Sequence, residues 1–420
     1  VENYILKIKN KIKNTFSSLR HPGYRLWFIG QLISMMGTWV QITAQGFLLY
    51  ELTHSMAYLG YMGVATGLPS VIFMLYAGVL ADRFPKKKIL AITQASMMLL
   101  AFILYALVTL GIVKPWHILL LATLLGIANA FDVPARQSFV IDLVEKSDTS
   151  NAIALNSMVF NLAAIVGPSI AGIIYAAFGA SSCFLINGIS FFGIIAVLLI
   201  IKVPDQKNIK ADSSHTWLHE LKEGIGYCLR NKELASFITI TFMISSVGMS
   251  YATLLPAWAT NILNGDAKTF GHLNSSRGIG SFIGALFLAS LGSRKLKPCA
   301  PLFFGMFTFP IFLLLFANNN TERISYIYTA GIGLGLMLTL NSLNSLVQSL
   351  TKDKLRGRVM SIFSLAFFGG MPVGAFFAGN IAEKFGAKLV VELSALLSIL
   401  IGIIYLMKTV SFTSCRLEDK

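Results

Sequence analysis

Asp132 and Arg136 stand four apart in an otherwise apolar run, with Asn129 one turn earlier. On a helix this spacing puts them on one face, where each charge shields the other from a non-polar surrounding. A carboxylate so placed can take up and release a proton, its affinity set by the opposed pulls of burial and of the guanidinium. A permanent structural pair is the other reading of Asp132, and Arg136 suits a structural or gating role. Arg277 is the one basic residue well inside an apolar run of the second half, with Asn274 and Ser281 on nearly the same face. It should meet a partner or a solute. Glu392, at the start of the last apolar run, is a possible partner for it or a second proton-coupling site; snorkelling to the interface is the alternative.

A third set has no charge at all. Gln31, Ser34, Thr38, Gln41 and Gln45 fall within an arc of about 80° on a helix. Amides facing lipid are costly, so this face meets protein or water. Hydrogen bonds between helices would satisfy it, and so would the wall of a substrate cavity. Asn341, Asn344, Ser345 and Gln348 make a second polar face, of which Asn341 is a candidate for substrate contact. Trp39 sits mid-run and packs in a core or lines the cavity, whereas Trp27, Trp116 and Trp258 are placed where an interfacial belt is expected.

Enzyme chemistry is not in view. There is no phosphate-cradling loop, no metal-ligand constellation and no nucleophile elbow. His215 and His219 are i,i+4 but have no carboxylate or cysteine companions. Neither a cofactor nor a metal is therefore expected. Without a site for ATP, any energy-driven step would draw on an ion gradient, most simply protons.

These side chains must be positioned by a chain of 420 residues, 55% hydrophobic and 13% charged, with a mean hydropathy of +0.69. A soluble enzyme could not cover so much apolar surface, and a disordered chain would not carry it. Four scattered cysteines make no disulfide scaffold. An integral membrane protein of many helices remains. Twelve apolar runs of spanning length centre near Ser34, Val71, Met98, Leu124, Val166, Ile194, Ile244, Phe282, Phe307, Leu334, Ala366 and Leu397. With a cytoplasmic N-terminus, 28 of the 34 Lys and Arg fall on the cytoplasmic side and 5 on the other, with Arg277 inside a span. That split predicts that both termini are cytoplasmic. The net charge of +15 then points to the anionic inner leaflet, not to nucleic acid.

The expected organisation is a basic amphipathic segment at 1–23 and a six-helix bundle at 24–201. A cytoplasmic linker follows at 202–234, then a second bundle at 235–408 and a tail at 409–420. In the linker Leu218, Leu221, Ile225 and Cys228 share a helical face. An internal repeat supports the halves: with a shift of 207 residues, 157–180 and 364–387 agree at 10 of 24 positions.

After the second run the chain reads Gly78-Val-Leu-Ala-Asp82-Arg83-Phe84-Pro85-Lys86-Lys87-Lys88. This resembles the loop motif of major facilitator transporters, with Pro85 in place of the second glycine. In helix 5, Gly167-Pro168-Ser169-Ile170-Ala171-Gly172 is similar to the antiporter motif, with Ala171 at its penultimate position. Gly37-Thr38-Trp39-Val40-Gln41, Leu49-Tyr50-Glu51-Leu52-Thr53-His54-Ser55, 130–137 and 356–360 look like the subfamily of the bacterial enterobactin exporter and related drug and macrolide efflux proteins. The resemblance runs from about Arg20 to Met407.

It implies an all-α protein of two pseudo-symmetric six-helix bundles, working by alternating access around a midplane site between the halves. It implies a cytoplasmic gate in which Asp82 meets the start of the eleventh span near Arg358 and Arg83 reaches an acid such as Asp142; membrane orientation alone is the plainer role of Arg83 and the lysines. The glycines of the antiporter motif tilt the direction to export, or serve only close helix packing. With Arg136 and Arg277 embedded and no acid inside the first run, the cavity should favour neutral or anionic solutes, such as a siderophore, over cations. A multidrug or macrolide pump is the main alternative, followed by a metabolite importer and a non-transporting receptor or lipid-handling protein. The expected setting is a bacterial inner membrane, and the expected state a monomer.

Overall fold

The structure, a computed structural model, describes residues 16–201, 217–291, 299–352 and 355–409. All regular structure among them is helical. The first five long helices are α1 (Pro22–Thr53), α2 (Met56–Arg83), α3 (Lys86–Thr109), α4 (Pro115–Asp142) and α5 (Thr149–Ile200). Next come α6 (Trp217–Arg230), α7 (Lys232–Met243), α8 (Leu255–Asn261) and α9 (Ala267–Leu291). The chain closes with α10 (Cys299–Ala317), α11 (Glu322–Leu350), α12 (Arg356–Phe385) and α13 (Ala387–Thr409). Every one of the twelve expected span centres lies in helix. Ten helical stretches are long and apolar enough to cross a membrane by length and composition; α9, which carries Lys268, His272 and Arg277, is not among them. The basic segment at 1–15, the linker at 202–216 and the tail at 410–420 lie outside the described residues.

Helix ends follow local chemistry. Pro115 opens α4, where its missing N–H costs nothing. Asn231 caps α7, its side chain accepting from the backbone N–H groups of Glu233 and Leu234 at 3.1 and 3.3 Å. With 52 residues, α5 would be about 78 Å long if straight, more than twice a bilayer core. It is broken at Gly179, whose φ of 78° only glycine adopts freely. Gly386, with φ 88°, makes the same break between α12 and α13. The two glycines are 207 residues apart, so the sequence repeat is also a repeat of backbone geometry.

The described chain packs as two compact units, Val1–Gln45 with Ile72–Ala211 and Gly46–Val71 with Asp212–Lys420. The division runs through α1 and α2. Within the first unit, a Cβ on Gly167 would come 2.6 Å from Trp39 Cβ, so α5 lies close against α1. Within the second, a Cβ on Gly374 would come 1.9 Å from the Ser246 carbonyl oxygen. Gly374 is Gly167 shifted by 207, and Ser246 is Trp39 shifted by 207. The antiporter-like motif is thus a helix-contact element in both units: Gly167, Pro168 and Gly172 are all buried. Large apolar side chains left exposed, among them Ile92, Leu199, Phe377 and Met407, suit a lipid surrounding.

Candidate functional site

In the first unit the polar stripe of α1 is buried, with Gln31, Ser34, Gln41 and Gln45 all inaccessible. Two of its amides, Gln41 and Gln45, are engaged by neighbouring helices. Gln41 Oε1 accepts from Asn187 Nδ2 at 2.7 Å, and Gln45 Nε2 donates to the Ile118 carbonyl at 3.3 Å. Thr38 Oγ1 donates back to the Ser34 carbonyl at 2.9 Å. Gln31 Oε1 accepts nothing among the described residues. The geometry therefore favours inter-helix hydrogen bonding at Gln41 and Gln45. Trp39 packs edge-on against Phe160, 5.8 Å between centroids, in a cluster with Met35, Val159 and Ala163. Trp27 and Trp258 are fully buried, against Phe139 and Phe316, so of the three expected belt tryptophans only Trp116 is exposed. Their indoles met enough local aromatic surface to be drawn inward.

Asp132 is buried on α4 and is met from α3. Thr93 Oγ1 and Gln94 Nε2 both donate to its Oδ1, each at 2.8 Å. Its other oxygen, Oδ2, faces Arg136 Nε at 3.7 Å, beyond hydrogen-bond length. One oxygen is therefore anchored, and the other is held by charge alone. Asn129 donates to the Leu125 carbonyl on its own helix at 3.0 Å and takes no part.

In the second unit the chain between α7 and α8 is irregular. Ile244–Gly248 winds as π-helix and Met249–Leu254 as 3-10 helix. Such interruptions re-aim side chains and often mark functional positions. Here the interruption carries Tyr251, buried to 1% exposure, beside the Arg277 guanidinium. The two interact through space, yet the phenol makes no well-formed hydrogen bond. Arg277 is half-buried and has no carboxylate within 4 Å among the described residues. Glu392 instead pairs with Lys388, at 3.8 Å, one turn away on α13. Asn341 is exposed on α11.

Helices α2 and α12 meet along a glycine-lined seam. A Cβ on Gly60 would be 2.7 Å from the Ala375 carbonyl oxygen, and one on Gly67 2.5 Å from Pro372. At its end, Glu383 Oε2 accepts from the backbone N–H groups of Met56 and Ala57 at 2.6 and 3.2 Å. A carboxylate thus sits on the free N–H groups and positive dipole end of α2. Tyr61 donates to Asn380 Oδ1 at 3.2 Å beside it. At the start of α12, Arg358 forms an ion pair with Glu223 of α6. Gly224 of α6 packs on Arg358 and Ile362.

The transmembrane secretion effector family matches residues 13–417, nearly the whole chain. The chain belongs to that family of major facilitator transporters. The transporter is 28% identical over 363 residues to the staphyloferrin A transporter of Staphylococcus aureus, covering 86% of this chain and 90% of that one. It is 23% identical to macrolide efflux protein A of Streptococcus pyogenes, covering 91% and 94%. It is also 23% identical to the enterobactin exporter of Shigella flexneri, covering 94% of each. Among solved structures, a bacterial homologue of the human lysosomal transporter Spinster superposes with a TM-score of 0.73 at 11% identity, covering 96% and 99%, which bears on the fold alone.

Several residues of the transporter stand in company the sequence did not suggest. The surroundings of Gly78 and the side chains of Asp82 and Arg83, on which the cytoplasmic-gate expectation rests, are not among those described. Lys86 of the same motif pairs with Asp142 at 2.8 Å. The apolar face of α6 differs from expectation: Cys228 and Gly224 are buried, whereas Ile225 is exposed. Thr93, Gln94, Tyr251, Glu223 and Glu383 were not singled out by spacing. Among the described residues no cluster of three or more metal-binding side chains occurs.

Proposed function

We propose that this transporter exports a small anionic or neutral chelator of the siderophore type across a bacterial inner membrane, by alternating access coupled to protons. The observation that carries the reading is Arg277, a guanidinium with no acid within 4 Å among the described residues, on a chain whose relatives include an enterobactin exporter and a staphyloferrin A transporter. An uncompensated positive charge in a low-dielectric setting favours oxyanions and disfavours cations. Twelve spans with both termini cytoplasmic are part of the proposal, as are the cytoplasmic gate at Gly78, Asp82, Arg83 and Arg358 and the linker dividing two bundles.

Asp132 is the proposed proton carrier. Its Oδ1 is fixed by two donors, which leaves Oδ2 as the atom that would take up the proton and release it when Arg136 draws near. Asp132→Asn should abolish gradient-driven transport and retain counterflow; loss of both would make the carboxylate structural. Glu392, tied to Lys388 at a helix end, is the weaker proton site.

The test of cargo is proton movement in proteoliposomes with an internal pH dye, on adding carboxylate and catecholate siderophores, macrolides and lipophilic cations in turn. Flux with the chelators alone supports the reading. Flux with lipophilic cations alone defeats it and favours a multidrug pump; flux with macrolides alone favours the activity named for the Streptococcus relative.

A further inference from the structure

We infer that Arg277 and Tyr251 form an oxyanion subsite that receives a carboxylate of the transported molecule; this rests on the export reading above and specifies its substrate. Tyr251 is 1% exposed, and its hydroxyl, though it interacts with the Arg277 guanidinium, makes no well-formed hydrogen bond among the described residues. Leaving a buried hydroxyl unsatisfied is costly, and native proteins rarely do so without a reason. Its neighbour Arg277 offers only donors, and no carboxylate stands within 4 Å of it among the described residues. The guanidinium can only donate, and the phenol facing it keeps its O–H to donate, with no carboxylate beside either among the described residues. The missing partner is an acceptor with negative charge, and the guanidinium fork matches the two oxygens of a carboxylate.

Position on the helix separates this site from the lipid surface. Arg277 is ten residues into α9, about 15 Å along its axis, the depth of the middle of a bilayer core. On α9, Phe270, Leu273 and Gly280 are buried and share one arc with Arg277, while Ile279, Phe282, Ile283 and Leu286 are exposed on the opposite one. Arg277 therefore points to the protein side and yet keeps accessible surface, as a group lining an internal aqueous space does. Its backbone is fixed: a Cβ on Gly333 would strike the Arg277 carbonyl oxygen at 2.0 Å, and Ser281 donates to the Gly333 carbonyl at 3.2 Å. Tyr251 is set by the irregular turn after α7, where Ser250 bonds to Ser394 at 3.1 Å. Both donors thus come from constrained backbone, as a pre-formed subsite requires.

The test uses the full chain in nanodiscs, titrated with citrate as the carboxylate probe and tetraphenylphosphonium as the cation control. Binding is followed by tryptophan fluorescence and thermal shift, and melting without ligand reports folding. Arg277→Gln should abolish citrate binding. Arg277→Lys, which keeps the charge and loses the fork, and Tyr251→Phe, which removes one hydroxyl, should each weaken it about tenfold. Unchanged citrate affinity in Tyr251→Phe and Arg277→Lys, with melting like the wild type, would overturn the subsite. So would a citrate signal that follows the anionic lipid content of the disc and not these side chains, since the phosphate of a headgroup would then be the ligand. Failure of the export reading looks different: citrate would bind through both residues while proteoliposomes moved no chelator. Chelator export undiminished in both variants would leave that reading standing and remove the subsite.

Discussion

The short segment ahead of α1 is held in part by one carboxylate. Asp148 accepts from Ser17 Oγ at 2.6 Å and faces His21 Nε2 at 2.9 Å, and Ser18 bonds to the Asp148 carbonyl and the Asn151 side chain, each at 3.0 Å. Hydrogen bonds from Ser17 and then His21 hold the Asp148 carboxyl below its ordinary value of 3.8. The sign follows from which state binds the proton more tightly. The released segment leaves Asp148 easier to protonate, so anchoring is complete above pH 3.8 and is lost as pH falls through the lower bound-state value. Amide protection at 18–20 should be constant from neutral pH to about 4 and collapse below it; Asp148→Asn should show the collapsed level already at pH 7, measured by hydrogen exchange. At this scale sequence and structure agree unevenly. The Asp132–Arg136 pair was legible because i,i+4 spacing fixes proximity on any helix. The partners of Asp132 from α3 were not, because helical periodicity gives the face of a helix and not what lies against it. Gln41 and Gln45 show the same limit: their arc was correct, but only packing could decide between Asn187, Ile118 and a solute.

At the scale of the helix, small residues set how close two backbones come. Gly374 leaves 1.9 Å for a Cβ before the Ser246 carbonyl oxygen, and Gly167 leaves 2.6 Å before Trp39 Cβ, whereas Gly193 on α5 has nothing within 4 Å. Alanine at Gly374 must push α12 off a backbone carbonyl, at a cost of about 1–3 kcal/mol. Gly374→Ala should lower the melting temperature in detergent most, Gly167→Ala less, and Gly193→Ala not at all. Equal melting of all three would show that the seams are loose. The α2–α12 seam carries a second consequence. Glu383 holds the first N–H groups of α2 with charge-assisted bonds, worth about 1 kcal/mol at an exposed helix end. Glu383→Ala should speed hydrogen exchange at 56–61, with Glu383→Gln in between because it keeps an acceptor and loses the charge. The repeat made the Gly167 and Gly374 contacts legible in advance, since apolar bias alone would not conserve glycines in register. The seam at Glu383 was hidden because its partners are more than 320 residues away. The turn that carries Tyr251 was hidden because Ile244–Gly248 reads as ordinary apolar helix and nothing in its side chains announces π winding.

Across the whole chain, orientation depends on the parity of the spans. Ten helical stretches satisfy length and hydropathy together, but two details change the count. The break at Gly179 turns the 52-residue α5 into two segments of spanning length, and α9 at 25 residues is long enough and fails only on polarity. Its polarity comes from groups already explained, Arg277 on the protein-facing arc and Lys268 and His272 near its first turn. A helix with such residues can span when they face protein or water, and the proposed count of twelve includes α9 on that ground. The proposed twelve is an even number, which would put both ends of the chain on one side. On that proposal the 28 to 5 division of Lys and Arg would select the cytoplasmic side. A green fluorescent reporter fused after Lys420 should fluoresce, and alkaline phosphatase fused there should be inactive. Phosphatase inserted after Gly111, the positive-φ glycine of the turn between α3 and α4, should be active. A phosphatase-active C-terminus would mean an odd count. With α9 the most polar helix of the set, it would then be the segment that does not cross, and Arg277 would lose the depth on which its carboxylate subsite depends.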